Sequence, residues 1–195
     1  MALKIAVLGS TKGADLQGLI DEIGSGALDA QIVLVLSDRK QAFILERAKK
    51  HGIRAVFVDP KAYANRTEFD RALLAELEKS GTELVLLIGY MRIAGPELVR
   101  KYAGKMMNIH PSLLPEFAGG MDKDVHAAVL AAGKKETGCT LHFVTDDVDK
   151  GPIILQKKVP VLQGDTPETL KARVQKAEQE VILEGVRRFM RNELD

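Results

Sequence analysis

Four apolar runs rich in β-branched residues recur along the first half of the chain: KIAVLG at 4–9, IVLVLSD at 32–38, RAVFVD at 54–59 and ELVLLIGY at 83–90. They show little polar alternation, the pattern of strands covered on both faces. Between them, apolar residues at helical spacing predict helices over about 14–25, 40–51 and 60–80. Gly52 ends the second as a C-cap, and Asp59 followed by Pro60 starts the third. The resulting β-α-β-α-β-α-β series predicts an α/β fold with a doubly wound, mostly parallel, Rossmann-like sheet. A short helix near 95–102 leads into GKMMNI at 104–109, the fifth predicted strand.

The second half changes character. GCTLHFVTDDVDKGPIILQKKVPV holds two strand-like runs, Thr140–Val144 and Ile153–Val161, on either side of an acidic turn, which predicts an added antiparallel strand pair. A C-terminal helix is expected from Asp165 or Thr166, with Pro167 in its first turn and Glu168 completing a capping pattern, to about Arg191. No internal repeat, low-complexity tract or linker interrupts the chain, so residues 1–195 are expected to form a single domain.

Charge and composition narrow the partners. The 28 basic and 27 acidic residues leave a net charge of +1, so no global field marks the chain for nucleic acid or for an anionic membrane, and a small-molecule partner is expected. Cys139 is the one cysteine, which excludes an internal disulfide and a multi-thiolate metal site and suits a reducing, cytoplasmic compartment. The opening MALKIAVLGS lacks the apolar stretch and cleavage site of a secretory signal, and no run approaches the ~20 apolar residues of a membrane span.

In open α/β sheets the ligand crevice lies beyond the carboxyl ends of the strands. Four stretches fall there. The turn LGSTKGADLQ brings Gly9, Ser10, Lys12 and Gly13 to a helix start whose free amides favour a phosphate or a carboxylate, although it matches neither GxGxxG nor GxxxxGK[ST] and also reads as a plain turn. LIGYMRIAGPE leaves the fourth strand as an apolar loop carrying one charge, Arg92; its plain reading is a packed connection. In MNIHPSLLPE, Asn108 and His110 share one strand face, an amide donor beside an imidazole, which suits oxyanion stabilisation and proton transfer in acyl transfer. Pro111 and Pro115 restrict the loop that follows. Last, TDDVDKGP offers Asp146, Asp147 and Asp149, while His110, His126 and His142 fall within 33 residues, from 110 to 142. The bland reading of the acids is a solvated turn. His142 and Asp149 show no recognisable ligand spacing, so no metal is expected.

NIHPSLLP at 108–115, HFVTDDVDKGPIILQ at 142–156 and GYMRI at 89–93 together resemble the phosphoribosylglycinamide formyltransferases, folate-dependent enzymes of purine synthesis. The resemblance spans nearly the whole chain. NIHPSLLP is specific to the wider formyl-transfer superfamily, and over these 195 residues neither the extra C-terminal domain of the methionyl-tRNA formyltransferases nor the N-terminal regulatory domain of the formyltetrahydrofolate hydrolases is expected. The resemblance implies transfer of a formyl group from 10-formyltetrahydrofolate, as cosubstrate, to the primary amine of glycinamide ribonucleotide. Asn108 is expected to hold the developing oxyanion, His110 to assist it and move a proton, and Asp149 to orient those movements. The folate is expected at Met91, Arg92, Ile93 and Ala94, at Asn108, and under a loop of Thr145, Asp146, Asp147, Val148 and Asp149, with Arg66 at its glutamate tail. The ribonucleotide is expected at Lys12, Gly13, Ala14 and Asp15, with Gln175 and Glu178 near the glycinamide and ribose. His142 and His126 match positions near the site, His142 as possible structural support, and a monomer or homodimer is expected.

Two stretches depart from the family pattern. Where the family carries a loop like GNGSN, this chain has TKGAD: Ala14 removes a hydroxyl and Asp15 puts a carboxylate where an amide is usual, while Lys12 and Ser10 offset the change. EFAGGMDKDVH at 116–126 is longer than the common form and lacks its proline before Gly119. These departures keep two alternatives in view, a formyltransferase for another amine and a formyltetrahydrofolate hydrolase. A non-catalytic folate or nucleotide binder is the third.

Overall fold

A computed structural model describes residues 2–120 and 123–194, without the side chains of Lys123 and Asp124; Met121 and Asp122 of the long EFAGGMDKDVH loop lie outside the described residues. The chain divides into two compact units, Met1–Met107 and Asn108–Asp195.

The first unit follows the expected alternation: β1 Leu3–Leu8, α1 Ala14–Gly24, β2 Ala30–Ser37, α2 Phe43–Lys50, β3 Ala55–Phe57, α3 Arg66–Lys79, β4 Leu84–Leu87 and α4 Pro96–Lys101. Its strands run in the order β3-β2-β1-β4, and all three pairings are parallel. Ile5, Ala6, Val7 and Leu8 are all 0% exposed, which is why β1 reads as a continuous apolar run and not as an alternating one. After β3 the chain passes β2 and β1 to reach β4 on the far side of β1. The order therefore reverses between β1 and β4, and the loops leaving those two strands diverge at a switch point of the kind that holds ligands.

The helix expected over 60–80 is two elements. Asp59 caps a single 3-10 turn, Pro60–Ala62, by accepting from the Lys61 amide at 3.0 Å. Tyr63 is extended, and Asn65 then caps α3 by accepting from the Glu68 amide at 3.0 Å. The Glu68 carboxylate reaches back to the Ala64 amide at 3.1 Å. Asn65 to Glu68 is thus the true start signal, a near-capping box overlooked beside the more familiar Asp-Pro pair.

β5, Met106–His110, begins at the end of the first unit and runs into the second, which continues with α5 Lys123–Ala131, β6 Glu136–Phe143, β7 Ile153–Pro160 and α6 Pro167–Met190. The strand order is β5-β6-β7, with β6 and β7 antiparallel as expected. The helix α5 was not anticipated from the sequence. α6 is capped by Thr166, and its reciprocal partner is Thr169 at N3, not the expected Glu168, which stands one position too early. Leu170, Val174, Val186 and Ile182 of α6 are at most 2% exposed; each contributes roughly 1.5–3 kcal/mol by leaving water. Gly185 lets α6 come this close, because a Cβ there would strike Leu141 of β6. The α/β class with mostly parallel strands, an antiparallel pair and a C-terminal helix is the one expected. No helix among the described residues is long and apolar enough to cross a membrane.

Candidate active site

Asn108 and His110 are alternate residues of β5 and project to the same side of the strand. His110 is 3% exposed, and each ring nitrogen faces an acceptor: Nε2 lies 3.1 Å from the Phe117 carbonyl and Nδ1 3.3 Å from Oδ2 of Asp149. A carbonyl only accepts, so Nε2 carries a hydrogen. With the ring neutral, Nδ1 turns a lone pair towards the carboxylate; with the ring protonated, both nitrogens donate. Burial holds the His110 pKa below its ordinary value, against the raising effect of Asp149 and of the Phe117 carbonyl. At neutral pH the ring is therefore mostly unprotonated, yet both partners of its protonated form are already in place. That is the environment of a group that takes up a proton and returns it.

Asp149 reaches this position from the β6–β7 loop in a left-handed conformation, φ 55°, which Asp tolerates better than most residues. Its Oδ2 accepts from the Gly119 amide at 2.8 Å and its Oδ1 lies 3.5 Å from Nε2 of His142. Burial opposes its ionisation, but His142, the Gly119 amide and His110 outweigh burial and hold its pKa below the usual carboxylate value. Nδ1 of His142 lies 2.9 Å from the Phe143 carbonyl and so bears a hydrogen, while Nε2 lies 3.1 Å from Nδ2 of Asn108 and accepts from it whenever Nε2 carries no hydrogen. A primary amide has two hydrogens, and this bond uses one. β6 carries an irregularity between Leu141 and His142, where the register with β7 shifts, a device that re-aims a side chain.

The loop after His110 is held by more than its prolines. The buried hydroxyl of Thr140 donates to the Ser112 carbonyl at 2.7 Å and accepts from the Leu114 amide at 3.0 Å; Gln156 donates at 2.9 Å both to that hydroxyl and to the Leu114 carbonyl. Thr140→Val removes the hub and leaves buried backbone groups unpaired. We expect it to cost about 2–3 kcal/mol, read as a lowered melting temperature by calorimetry; an unchanged melting temperature would show that the loop holds itself.

The other residues named in the second unit are placed as follows. Thr145, Asp146, Asp147 and Val148 are exposed, so of the three acids in TDDVD only Asp149 turns inward. Gln175, half-buried, and Glu178, 7% exposed, sit one turn apart on one face of α6. His126 is buried in α5.

In the first unit, Gly13 is the left-handed N-cap of α1 at φ 63°, and a Cβ there would run into Ile44. Ala14 and Asp15 open the helix, with Asp15 6% exposed, while Lys12 is exposed and its carbonyl accepts from Nε of Arg47 at 3.4 Å. Arg47 is a cation at this turn that sequence reasoning missed. The Ser10 amide donates to the Gly89 carbonyl at 3.0 Å, and the Met91 amide donates to the Ser10 hydroxyl at 2.9 Å. Ser10 in turn donates to Oδ1 of Asp38 at 2.6 Å, whose Oδ2 takes Nε of Arg92 at 3.0 Å. Arg92 also lies over the Phe69 ring, 5.3 Å from its centroid. Arg66 donates to the Ile93 carbonyl at 2.7 Å and stands 3.5 Å from Asp70. Ile93 is 49% exposed and Ala94 8%. Met91, Arg92, Ile93 and Ala94 thus form one braced loop, tied to α3 through Arg66.

His142 is the member that sequence reasoning underrated. Its signal was its position two residues from Thr140 on a strand, where both side chains serve the segment that starts at Asn108. The Gly119 amide and the Phe117 carbonyl carried no signal, since backbone groups are not written in side-chain motifs.

A sequence profile of the family described as formyl transferase matches residues 3–186. The trifunctional purine biosynthetic protein adenosine-3 of Bos taurus is 48% identical over 178 residues, 91% of this chain and 17% of that protein. The chain thus spans about a sixth of the length of its trifunctional relatives. The phosphoribosylglycinamide formyltransferase of Escherichia coli is 41% identical over 176 residues, 90% of this chain and 82% of that protein. Among solved structures, glycinamide ribonucleotide transformylase 1 from Symbiobacterium toebii superposes with a TM-score of 0.94 at 42% identity, over 98% of this chain and 89% of that one.

Proposed function

Since the chain belongs to the formyl transferase family, we propose that it transfers a formyl group from 10-formyltetrahydrofolate to the primary amine of glycinamide ribonucleotide, a step of purine synthesis. The observation that carries this reading is the buried His110–Asp149 pair, with Asn108 on the same side of β5 as His110. The family profile runs continuously over 3–186, which supports reading 1–195 as one formyltransferase domain. The buried thiol of Cys139, outside any disulfide, suits a cytoplasmic enzyme, and the proposed working form is a monomer or homodimer.

The chemistry follows from the groups. The amine lone pair attacks the formyl carbon, the carbonyl π pair moves to oxygen, and a tetrahedral oxyanion forms. The amide hydrogen of Asn108 not used by His142 donates to that oxygen; one such donor is worth roughly 2.7–4 kcal/mol. The attacking nitrogen becomes positively charged and must lose a proton, while the folate nitrogen must gain one before its bond to carbon breaks. The His110–Asp149 pair takes the first proton and returns it for the second step. The Met91–Ala94 loop and the segment Thr145–Asp149 are the donor-binding residues, with Arg66 at the glutamate; Lys12, Gly13, Ala14, Asp15, Gln175 and Glu178 serve the ribonucleotide.

Tetrahydrofolate release is followed with 10-formyltetrahydrofolate, with and without glycinamide ribonucleotide. Release only with the ribonucleotide supports the proposal. One observation favours a second reading: the buried Asp15 carboxylate opens α1, where a phosphate would take the helix amides. Release without any amine would establish a hydrolase, and release only with a different amine would change the substrate. Lys12→Ala should raise KM for the ribonucleotide about tenfold with KM for folate unchanged, as expected for loss of one point-charge phosphate ligand. An unchanged ribonucleotide KM would assign the phosphate elsewhere.

A further inference from the structure

Arg66, Phe69 and Asp70 lie on one face of α3, at i, i+3 and i+4, and each meets a different point of the segment that follows β4. Arg66 holds the Ile93 carbonyl, the Phe69 ring lies under the Arg92 guanidinium, and Asp70 packs against Gly95, the cap of α4. The last approach is close enough that a Cβ at residue 95 would run into Oδ2 of Asp70. Asp70 is 5% exposed and takes no part in the chemistry above.

An ionised carboxylate is costly to bury, and burial pushes the Asp70 carboxyl above the usual carboxylate range, while Arg66, the Gly95 amide and Arg92 pull the other way without cancelling it. An acid whose folded pKa is raised works against the fold at neutral pH. Asparagine would fill the same space and offer the Gly95 amide an oxygen without burying a charge. It could not hold Arg66, whose Nε stands 3.5 Å from Oδ2 of Asp70. The Arg66 side chain is 52% exposed, and a long side chain half in water keeps one rotamer only when something fixes it. The charge of Asp70 does so, and Arg66 passes the constraint to the Ile93 carbonyl at 2.7 Å.

Resting on the donor assignment above, we infer that Asp70 is a positioning residue for the donor: its carboxylate fixes Arg66, Arg66 fixes the Ile93 carbonyl, and the backbone of Met91–Ala94 is thereby set for the planar, hydrogen-bonding pterin ring before the donor arrives. The group served is the ring and not the glutamate, and the experiment separates the two.

Donor KM is measured on the full chain in wild type, Asp70→Asn, Arg66→Ala and the double variant, with 10-formyltetrahydrofolate and with 10-formyltetrahydropteroate, the same donor without its glutamate. Asp70→Asn should melt no lower than wild type, since the buried charge is gone. Leaving Arg66 to be ordered by the incoming donor costs the freedom of one long side chain, so KM for either donor should rise about tenfold. kcat and KM for the ribonucleotide should stay within about twofold of wild type. In the Arg66→Ala background the same substitution should have no further effect on donor KM, because Asp70 acts through Arg66. A donor KM unchanged in Asp70→Asn, or penalties that add in the double variant, would overturn the inference. So would a melting temperature that falls together with kcat, the mark of a purely structural residue. A penalty confined to the glutamyl donor would assign Asp70 to the glutamate and sink the ring reading. Lack of turnover in the wild type is a different failure, that of the proposed reaction, and calorimetric titration with tetrahydrofolate then decides. About tenfold weaker binding by Asp70→Asn supports the inference; equal binding, or none by wild type, overturns it.

Discussion

Asp149→Asn lowers kcat by about 10³, within the range for losing a positioned proton-transfer group, while KM for folate changes little. The amide keeps the size of the carboxylate, and its oxygen can still accept from the Gly119 amide, so the loop keeps its place. What is lost is the charge 3.3 Å from Nδ1 of His110. That charge raises the His110 pKa against burial, which lowers it, so the variant moves His110 further down. A histidine titration followed by NMR reads this directly: the midpoint of His110, already below 6.5 in the wild type, falls again in the variant. Near-normal kcat, or a midpoint that rises, would remove Asp149 from its role. The wild type also has a definite pH dependence of stability. His110 has a folded pKa below its unfolded value, so the unfolded chain binds that proton first, and stability declines as pH drops below about 6.5. Asp149 has a folded pKa below 3.8, so its contribution is present above that value and is lost as pH falls through the folded one. Both effects therefore run towards acid, in two separate windows, and Asp149→Asn removes the lower one.

Gly151→Ala should cost kcat a factor of about 10² without touching any group that handles the substrate. A Cβ at residue 151 would overlap the Phe143 carbonyl, a backbone atom that cannot rotate away. The same carbonyl accepts from Nδ1 of His142 at 2.9 Å, and the neighbouring Phe143 amide donates to Pro152 at 2.9 Å. The methyl thus pushes the end of the β6–β7 loop off the strand that orients His142, and Asp149 sits two residues away. Loss of catalytic alignment by about 1 Å is enough for an effect of this size. The signature is a lowered kcat with near-normal folding by circular dichroism. Full activity in a crystal-verified variant would mean that the loop tolerates the shift and that Asp149 is not held from this side.

The alternation of apolar runs and helical stretches made most of the fold legible, because strands covered on both faces cannot hide their composition; Ile5 to Leu8 and Leu84 to Leu87 are plain cases. Helix starts were harder. Asp59-Pro60 carries a strong start signal and does start a turn, but only Asn65 and Glu68 show that a second start follows. The helix at Lys123–Ala131 is only nine residues long and follows a glycine pair, so it offers few turns of apolar periodicity to read. In the candidate site, Asn108, His110 and Asp149 were legible as residue types, and alternation on a strand put the first two together. The parts that tune them were not: Gly119 and Phe117 contribute only backbone groups, and His142 depends on a register shift in β6.

The Asp38 carboxylate, held between Ser10 and Arg92, has a consequence for anyone who would change what this protein acts on. On the proposed assignment Ser10 belongs to the ribonucleotide turn and Arg92 to the donor loop, and each spends its polar group on one oxygen of the same carboxylate. Redesigning the first turn for a new amine by replacing Ser10 would also release the Met91 amide and unbalance Arg92. Variants selected for a new acceptor should therefore change at Lys12, Ala14 and Asp15 and leave Ser10 and Asp38 alone; the turn is free to vary only on the side that faces away from that carboxylate.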